Sequence, residues 1–255
     1  MTSWWLAEQA PPTLQHLWSP TRNVELERAL WLAVLKFHQQ EGVRIPEGAY
    51  ADYLAAAPYI NLDRIREREL VTRHDVKARI EEFNYMAGHE AIHLGMTSAD
   101  VVDNVAQIKM RESVLALAAM DPGRFAPAVH MLGRWPFRGI KGAVGTQQDQ
   151  QDLMGSADAA DRLDRFVGSS FGFSCVLGAV GQVYPRSLDL DVVSVLAGCV
   201  ADIPSQFQAV VTGYLSTVAG YAGETWNEGD VSTSVTRRVA LPGLLFAVGA
   251  IILDK

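Results

Sequence analysis

The stretch Thr72–Val105, TRHDVKARIEEFNYMAGHEAIHLGMTSADVVDNV, decides the fold because its apolar residues recur at helical spacing. The first part predicts a helix that opens near Thr72 and ends near Gly88. Its apolar positions lie three or four residues apart: Val76, Ile80, Phe83 and Met86. After a short loop, Ser98 is the predicted N-cap of a second helix that runs to about Ala119.

The same spacing continues on both sides of this stretch. Apolar segments of helical character follow one another, and Pro- or Gly-containing loops separate them. The segments lie at about 23–40, 160–172, 188–214 and 239–253, and the loops at 121–123 and 134–139. Strand-like alternation of any length is missing from the sequence, as are repeats and low-complexity tracts, so we expect an all-α protein.

The composition is that of a folded protein. Of 255 residues, 49% are hydrophobic and 20% charged, and the formal net charge is −7. This balance argues against a disordered chain and against a basic protein that coats nucleic acid. Cys175 and Cys199 provide neither a disulfide framework nor a thiolate metal site, so we expect two small apolar thiols in a reducing cytoplasm and no metal.

The N-terminus lacks the basic and apolar regions of a secretory signal, so a cytoplasmic protein is expected. The run Val239–Leu253 is apolar throughout but shorter than a bilayer span requires. A helix that is apolar on all sides is more often buried between other helices. The sequence therefore predicts a core helix here and no membrane contact.

Five blocks of the sequence, in this order along the chain, resemble adenylosuccinate lyase, most of all its actinobacterial branch. They are TRHDVKARIEEFN, GHEAIHLGMTSADVVDNV, FRGIKGAVGTQQD, GQVYPRSLDLDVVSVLA and WNEGDVSTSVTRRVALP. The resemblance implies the helical bundle of the fumarase/aspartase superfamily, with an N-terminal helical domain at 1–101 and part of the central bundle at 102–255. It also implies a homotetramer with active sites shared between subunits.

The family removes fumarate from adenylosuccinate and from a succinylated carboxamide intermediate of purine biosynthesis, without metal or organic cofactor. The resemblance therefore implies a carbon–nitrogen lyase with a small nucleotide substrate. Positions that match the family's substrate contacts are Arg73, His74, Asp75, Thr97, Ser98, Gln182, Ser234, Arg237 and Arg238. His93 matches a histidine that lines the family's active site. Lys141, Thr146 and Arg186 lie in the same blocks as further polar candidates.

Local pattern alone leaves simpler interpretations open for each position. Arg73–Asp75 is also typical of a solvated first helical turn, and Ser98 of an ordinary N-cap. His93 is equally compatible with a hydrogen-bonded core histidine. Ser234 and the two arginines after it would share one face of an α-helix, as in any solvated basic turn.

Two family segments have no counterpart in the sequence. The block with the general-acid histidine should follow Met120, and the loop with the general-base serine should lie between about Val210 and Tyr214. His130 has no family motif around it and is not expected to replace the acid. Compared with the family, the C-terminal domain is also missing, and Glu8-Gln9 replaces an expected Arg-Tyr pair.

A sequence joined across disordered segments, a truncation and a degenerate paralog would each explain these gaps, and the first is preferred. Three hypotheses for function follow. The chain is an adenylosuccinate lyase, a paralogous lyase that acts on another N-succinyl adduct, or a non-catalytic helical scaffold of the same fold.

Overall fold

The computed structural model describes residues 4–181, 184–223 and 235–255. In these residues the regular structure is helical, apart from an isolated bridge between Phe137 and Val176. The helices are α1 (Trp4–Gln9), α2 (Pro12–Leu17), α3 (Pro20–Gln40), α4 (Ala49–Ala56), α5 (Leu62–Thr72), α6 (Asp75–Ala87), α7 (Ser98–Met120), α8 (Pro122–Leu132), α9 (Gln148–Met154), α10 (Ala157–Ser170), α11 (Ser187–Val200), α12 (Gln208–Gly220), a π-helical turn (Thr236–Ala240) and α13 (Leu241–Leu253). The all-α prediction is confirmed.

The chain folds into two compact units. The α3 unit consists of residues 20–105 and 137–179, and the α13 unit of residues 1–19, 106–136 and 180–255. The domain boundary expected at Val101 differs from this division, because the later segment 137–179 belongs to the α3 unit. Its helix α10 packs on α3, and its first loop is held by side chains from the first turns of α7.

The predicted helices form, and their ends are set by capping. Helix α6 begins at Asp75 rather than near Thr72, because the His74 side chain accepts a hydrogen bond from the backbone N–H of Lys77 and caps the helix. It ends before Gly88, whose φ of 73° suits a left-handed C-cap. The single segment predicted at 188–214 is two helices, because Pro204 cannot continue a helix beyond α11.

The α3 unit contains an aromatic cluster with a buried ion pair beside it. The rings of Trp31 and Tyr53 lie 6.3 and 5.0 Å from that of Phe83, centroid to centroid. Arg28 is buried beside this cluster, with its guanidinium carbon 4.4 Å from the Phe83 ring centroid, and it pairs with buried Glu82 at 2.5 Å. A buried pair of this kind is costly to break because either partner alone would be an uncompensated charge.

Helix α13 is the core of its own unit, as predicted from its sequence. All residues from Leu241 to Ile251 are buried, and α1, α2, α11 and α12 pack against the helix. Among the described residues, Thr236–Leu253 is one stretch long and apolar enough to cross a membrane. Its burial within the chain explains this composition without a membrane.

The two positions at which the resemblance implies additional segments lie at the end of α7 and within α12. After α7 ends at Met120, Asp121 alone connects it to α8, and its carboxylate accepts a hydrogen bond from the Arg124 backbone N–H at 3.2 Å. Val210 lies inside α12, in the turn where the Val211 N–H donates to Phe207 at 3.0 Å.

Close packing on α13 gives a first prediction. A Cβ atom added at Gly249 would lie 2.5 Å from Cδ of Pro11 and 2.8 Å from Cδ1 of Leu14. We expect Gly249→Ala to lower the free energy of unfolding by about 1–3 kcal/mol through overpacking. Urea-induced unfolding followed by circular dichroism measures the change.

The matched control is Gly213→Ala in α12, where an added Cβ meets nothing within 4 Å. We expect this variant to gain about 0.5–1 kcal/mol from helix propensity. Equal stability of the two variants would contradict the close packing at Gly249.

Candidate functional site

His74 and Ser98 are brought into direct contact, although 24 residues separate them in the chain. Nε2 of His74 lies 3.1 Å from Oγ of Ser98. Because Nδ1 of His74 accepts the Lys77 backbone N–H, the neutral ring carries its proton on Nε2 and donates it to Ser98. Helix α7 begins at Ser98, so Ser98 is its first residue rather than its N-cap.

The neighbours of His74 are placed differently. Arg73 has a left-handed backbone with φ 54° and an exposed side chain. The Asp75 carboxylate pairs with Arg79 at 3.2 Å and accepts the N–H of Val76. Asp75 therefore has a structural role at the start of α6, and a contact with substrate stays a prediction for all three residues.

His93 is a neutral hydrogen-bonding group. Its backbone is left-handed, with φ 67°, and its Nδ1 accepts the indole N–H of Trp31 at 3.1 Å. Burial lowers the pKa of His93 to about 4, against the raising effect of Asp100. At neutral pH the ring carries a proton only on Nε2, so it is suited to donate a hydrogen bond and not to act as an imidazolium acid.

A buried pair not identified from the sequence fixes the loop that carries His93. Nε2 of Gln150 donates to the carbonyls of Leu94 and Gly95, at 2.9 and 2.7 Å. Oε1 of the same amide lies 2.8 Å from Nε2 of His38, which therefore donates. Burial lowers the pKa of His38 and keeps this ring neutral. The polar run at 147–152 gave no local sign that one of its glutamines is completely buried.

The buried carboxylate of Asp164 holds the glycine-rich loop 139–147 in place. Asp164 accepts the N–H of Ile140 at 2.6 Å and the side-chain amide of Gln147 at 2.8 Å, and it pairs with the ammonium of Lys141. Burial raises the pKa of Asp164 to about 6, although Lys141 opposes the shift. Lys141 is buried and also donates to the carbonyl of Leu177 at 2.7 Å. It is therefore a structural cation here, while Thr146 is exposed.

The remaining candidates come after residue 180 in the chain. Gln182 and Ser234 lie outside the described residues. Arg237 is half-buried and Arg238 exposed, on a turn with π-helical rather than α-helical bonding, so the predicted α-helical face does not apply. Arg186 is buried, with its guanidinium carbon 4.3 Å from the Tyr184 ring centroid.

His130 is exposed on α8, at a cavity of about 730 Å³ lined mainly by apolar residues such as Trp135 and Leu188. Within the described ranges, no group of three or more His, Cys, Asp or Glu residues is arranged to hold a metal ion. The chemistry available at the Ser98 end of α7 is thus that of hydroxyl, imidazole and backbone donors.

The lowered pKa of His93 predicts a specific pH dependence of stability. Between pH 6.5 and 4 the unfolded chain takes up a proton that the folded His93 does not. The stability that depends on neutral His93 is therefore complete above pH 6.5 and is lost as the pH falls towards 4, by about 3 kcal/mol in all.

His93→Asn, which tolerates a positive φ, removes this dependence. We expect the free energies of unfolding of the two proteins to converge as the pH falls from 7 to 4. Asp164 acts in the opposite direction, because its raised pKa adds stability as the pH falls through 6, and it does so equally in both proteins. A difference that stays constant with pH would contradict the assignment.

Two left-handed glycines offer a matched test of the His93 loop. At Gly95 (φ 62°) an added Cβ would lie 2.7 Å from Nε2 of Gln150, whereas at Gly88 (φ 73°) it would meet nothing within 4 Å. We expect Gly88→Ala to cost about 1 kcal/mol of backbone strain and Gly95→Ala about 1–3 kcal/mol more. NMR of the His93 ring should show a shift in the second variant alone, and a shift in both would argue against the Gln150 contact.

Comparisons with known proteins agree with this fold. No protein-family model matches the chain. It is similar to the curated adenylosuccinate lyases of Schistosoma mansoni (24% identity, 71% of this chain and 48% of the relative), Schizosaccharomyces pombe (26%, 75% and 50%) and Saccharomyces cerevisiae (28%, 68% and 46%). The chain thus spans about half the length of the curated relatives that it matches.

The match to the Schistosoma protein extends over 230 residues but uses only 71% of this chain's 255. The relative therefore has residues inside the matched region that this chain lacks.

Solved structures share the fold over nearly the whole chain. A fumarate lyase from Mesorhizobium sp. BNC1 has a TM-score of 0.63 at 16% identity and covers 96% of this chain, which spans 74% of that one. A β-carboxy-cis,cis-muconate cycloisomerase from Acinetobacter calcoaceticus has a TM-score of 0.71 at 14% identity. The match covers 97% of this chain and 76% of the cycloisomerase. By sequence the chain is similar to adenylosuccinate lyases over about half of their length, and by structure it shares its all-α fold with the fumarate lyase and the cycloisomerase.

Proposed function

We propose that the chain forms the substrate-binding part of a fumarate-releasing carbon–nitrogen lyase that acts on adenylosuccinate and on the succinylated carboxamide intermediate of purine biosynthesis. The observation that carries the proposal is the contact between His74 and Ser98 at the start of α7. It joins two blocks of sequence that resemble the same family, and it does so through the residues that the resemblance assigns to substrate.

The chemistry at this helix start suits a dicarboxylate. The N-terminus of a helix carries partial positive charge and favours anions. Thr97 and Ser98 add two hydroxyl donors there, and neutral His93 adds an imidazole donor. These donors would hold a carboxylate of the succinyl group as negative charge builds up next to it during elimination. Arg73, exposed at the end of α5, would meet the nucleotide phosphate.

The proton transfers need groups other than these. An elimination of this type requires a base for the carbon-bound proton and an acid for the departing nitrogen, and a neutral His93 with a pKa of about 4 is a poor acid. The relatives carry residues within the matched region that this chain lacks, in agreement with an acid and a base that it does not supply. A cytoplasmic homotetramer with shared sites would bring such groups from other chains or segments. The reaction would need neither metal nor organic cofactor.

The predicted phenotype of Ser98→Ala tests the proposal. We expect the 255-residue chain to bind adenylosuccinate, and the variant to bind it about tenfold more weakly, because one hydrogen bond to a charged group is lost. Isothermal titration calorimetry measures both affinities. Ser156→Ala is the matched control, since Ser156 caps α10 and accepts the Ala159 N–H at 3.2 Å, with no predicted role in binding.

Other outcomes separate the alternatives. Tighter binding of another N-succinyl adduct than of adenylosuccinate would favour a paralogous lyase, as the Glu8-Gln9 departure suggests. Absence of binding for adenylosuccinate, for other succinyl adducts and for fumarate would favour a scaffold and contradict the proposal. If Ser98→Ala and Ser156→Ala weaken adenylosuccinate binding equally, Ser98 has no specific role in the binding site.

A further inference from the structure

We propose that Asp100 is a positioning residue that couples two loops, 93–98 and 139–147, so that they fold and open as one unit. Asp100 lies in the first turn of α7, where the helix dipole favours negative charge. Its side chain is completely buried, and what surrounds it gives it a larger role.

The carboxylate closes the first turn of α7. Oδ2 of Asp100 accepts the backbone N–H of Thr97 at 2.8 Å, in the geometry of one half of a capping box. This contact fixes the residue that precedes Ser98. The end of the loop 93–98 is therefore tied to a side chain one turn inside the helix.

The same carboxylate holds the second loop. Its two oxygens accept the backbone N–H groups of Lys141 at 2.8 Å and Gly142 at 3.0 Å. Gly142 has a φ of 69°, and a Cβ there would lie 2.7 Å from Oδ2 of Asp149, so the loop has a tightly restricted conformation at this point. The carboxylate that fixes Thr97 through Oδ2 thus also fixes Lys141 through Oδ1 and Gly142 through Oδ2.

Charge and a neighbouring amide complete the arrangement. Buried Arg138 pairs with Asp100 and approaches Asp103 at 3.8 Å. One turn along α7, the side-chain amide of Asn104 accepts the N–H of Gly139 at 3.1 Å and donates to its carbonyl at 2.8 Å. Positions four residues apart share a helix face, so this face of α7 holds the whole start of the glycine-rich loop.

A shared acceptor makes the two loops interdependent. If the loop 139–147 moves away, Asp100 loses two backbone donors and becomes an undersatisfied buried charge, which also weakens its hold on Thr97. One consequence of the coupling rests on the proposed function: loosening the loops should weaken ligand binding at Ser98. The coupling itself is a property of the fold.

Hydrogen exchange followed by NMR tests the coupling in Asp100→Asn. The amide has one acceptor oxygen instead of two, and its NH₂ group faces backbone donors. We expect the amide protons of Thr97, Lys141 and Gly142 to exchange about tenfold faster or more, all three together.

Glu82→Gln is the matched control. Glu82 is equally buried, pairs with buried Arg28 and accepts the Asn61 N–H at 3.1 Å, away from both loops. It should lower stability without faster exchange specific to the three amides. Faster exchange in one loop only, or the same pattern in Glu82→Gln, would overturn the proposal.

The unmodified protein offers a second measurement that does not require a variant to fold. In low concentrations of denaturant, Thr97, Lys141 and Gly142 should share one opening free energy, lower than that of core amides in α3 such as Val34. Unequal values, or opening only with the whole α3 unit, would count against the coupling. Fumarate affinity of Asp100→Asn then tests the consequence for ligand. Coupled exchange in a protein that does not bind fumarate would support the coupling and contradict the proposed function.

Discussion

A buried carboxylate on α7 is the constraint on which the candidate site depends. Moving a charged group out of water costs several kcal/mol unless donors replace the water, and Asp100 has no solvent around it. The donors available are a guanidinium and three backbone N–H groups from two loops. Satisfying this one group therefore determines where both loops lie, and with them the start of α7.

Other buried polar groups follow the same logic around this centre. Asp164 organises the far side of the glycine-rich loop, while His38 acts through Gln150 on the loop of His93. The buried groups of these networks are neutral side chains or paired ions. Many polar groups of the α3 unit therefore fix the conformation of its loops and are not available to a ligand. The glycine-rich block has two basic residues, and both form buried ion pairs. Arg138 pairs with Asp100 and Lys141 with Asp164. The proposed anionic ligand would therefore be attracted to this protein of net charge −7 by local features such as a helix N-terminus and exposed Arg73.

Much of the fold was predictable, because helical periodicity and burial are local properties of the sequence. The helix that ends at Gly88, the long helix from Ser98 and the apolar core helix after Val239 were all expected. The family resemblance named Ser98 and His74 as candidates, and the structure places them in contact, while their role in binding stays a prediction. The motifs themselves did not show that the two side chains would touch.

The rest depended on partners far apart in the chain. Lys141 looked like a loop cation, and its pairing with Asp164 follows from tertiary structure alone. His38 and Gln150 are 112 residues apart, and neither has a sequence signature. The stacking of Arg186 on the Tyr184 ring likewise has no sign in the local sequence pattern. Local patterns predict which residues are buried in helices but not which polar groups satisfy one another.

The central claim is that the start of α7 is a carboxylate-binding site. A crystal structure of the chain with adenylosuccinate tests it most directly. We predict that one carboxylate of the succinyl group lies within hydrogen-bonding distance of Oγ of Ser98 and Oγ1 of Thr97, near His74. A ligand bound elsewhere, with water alone at the start of α7, would contradict the account.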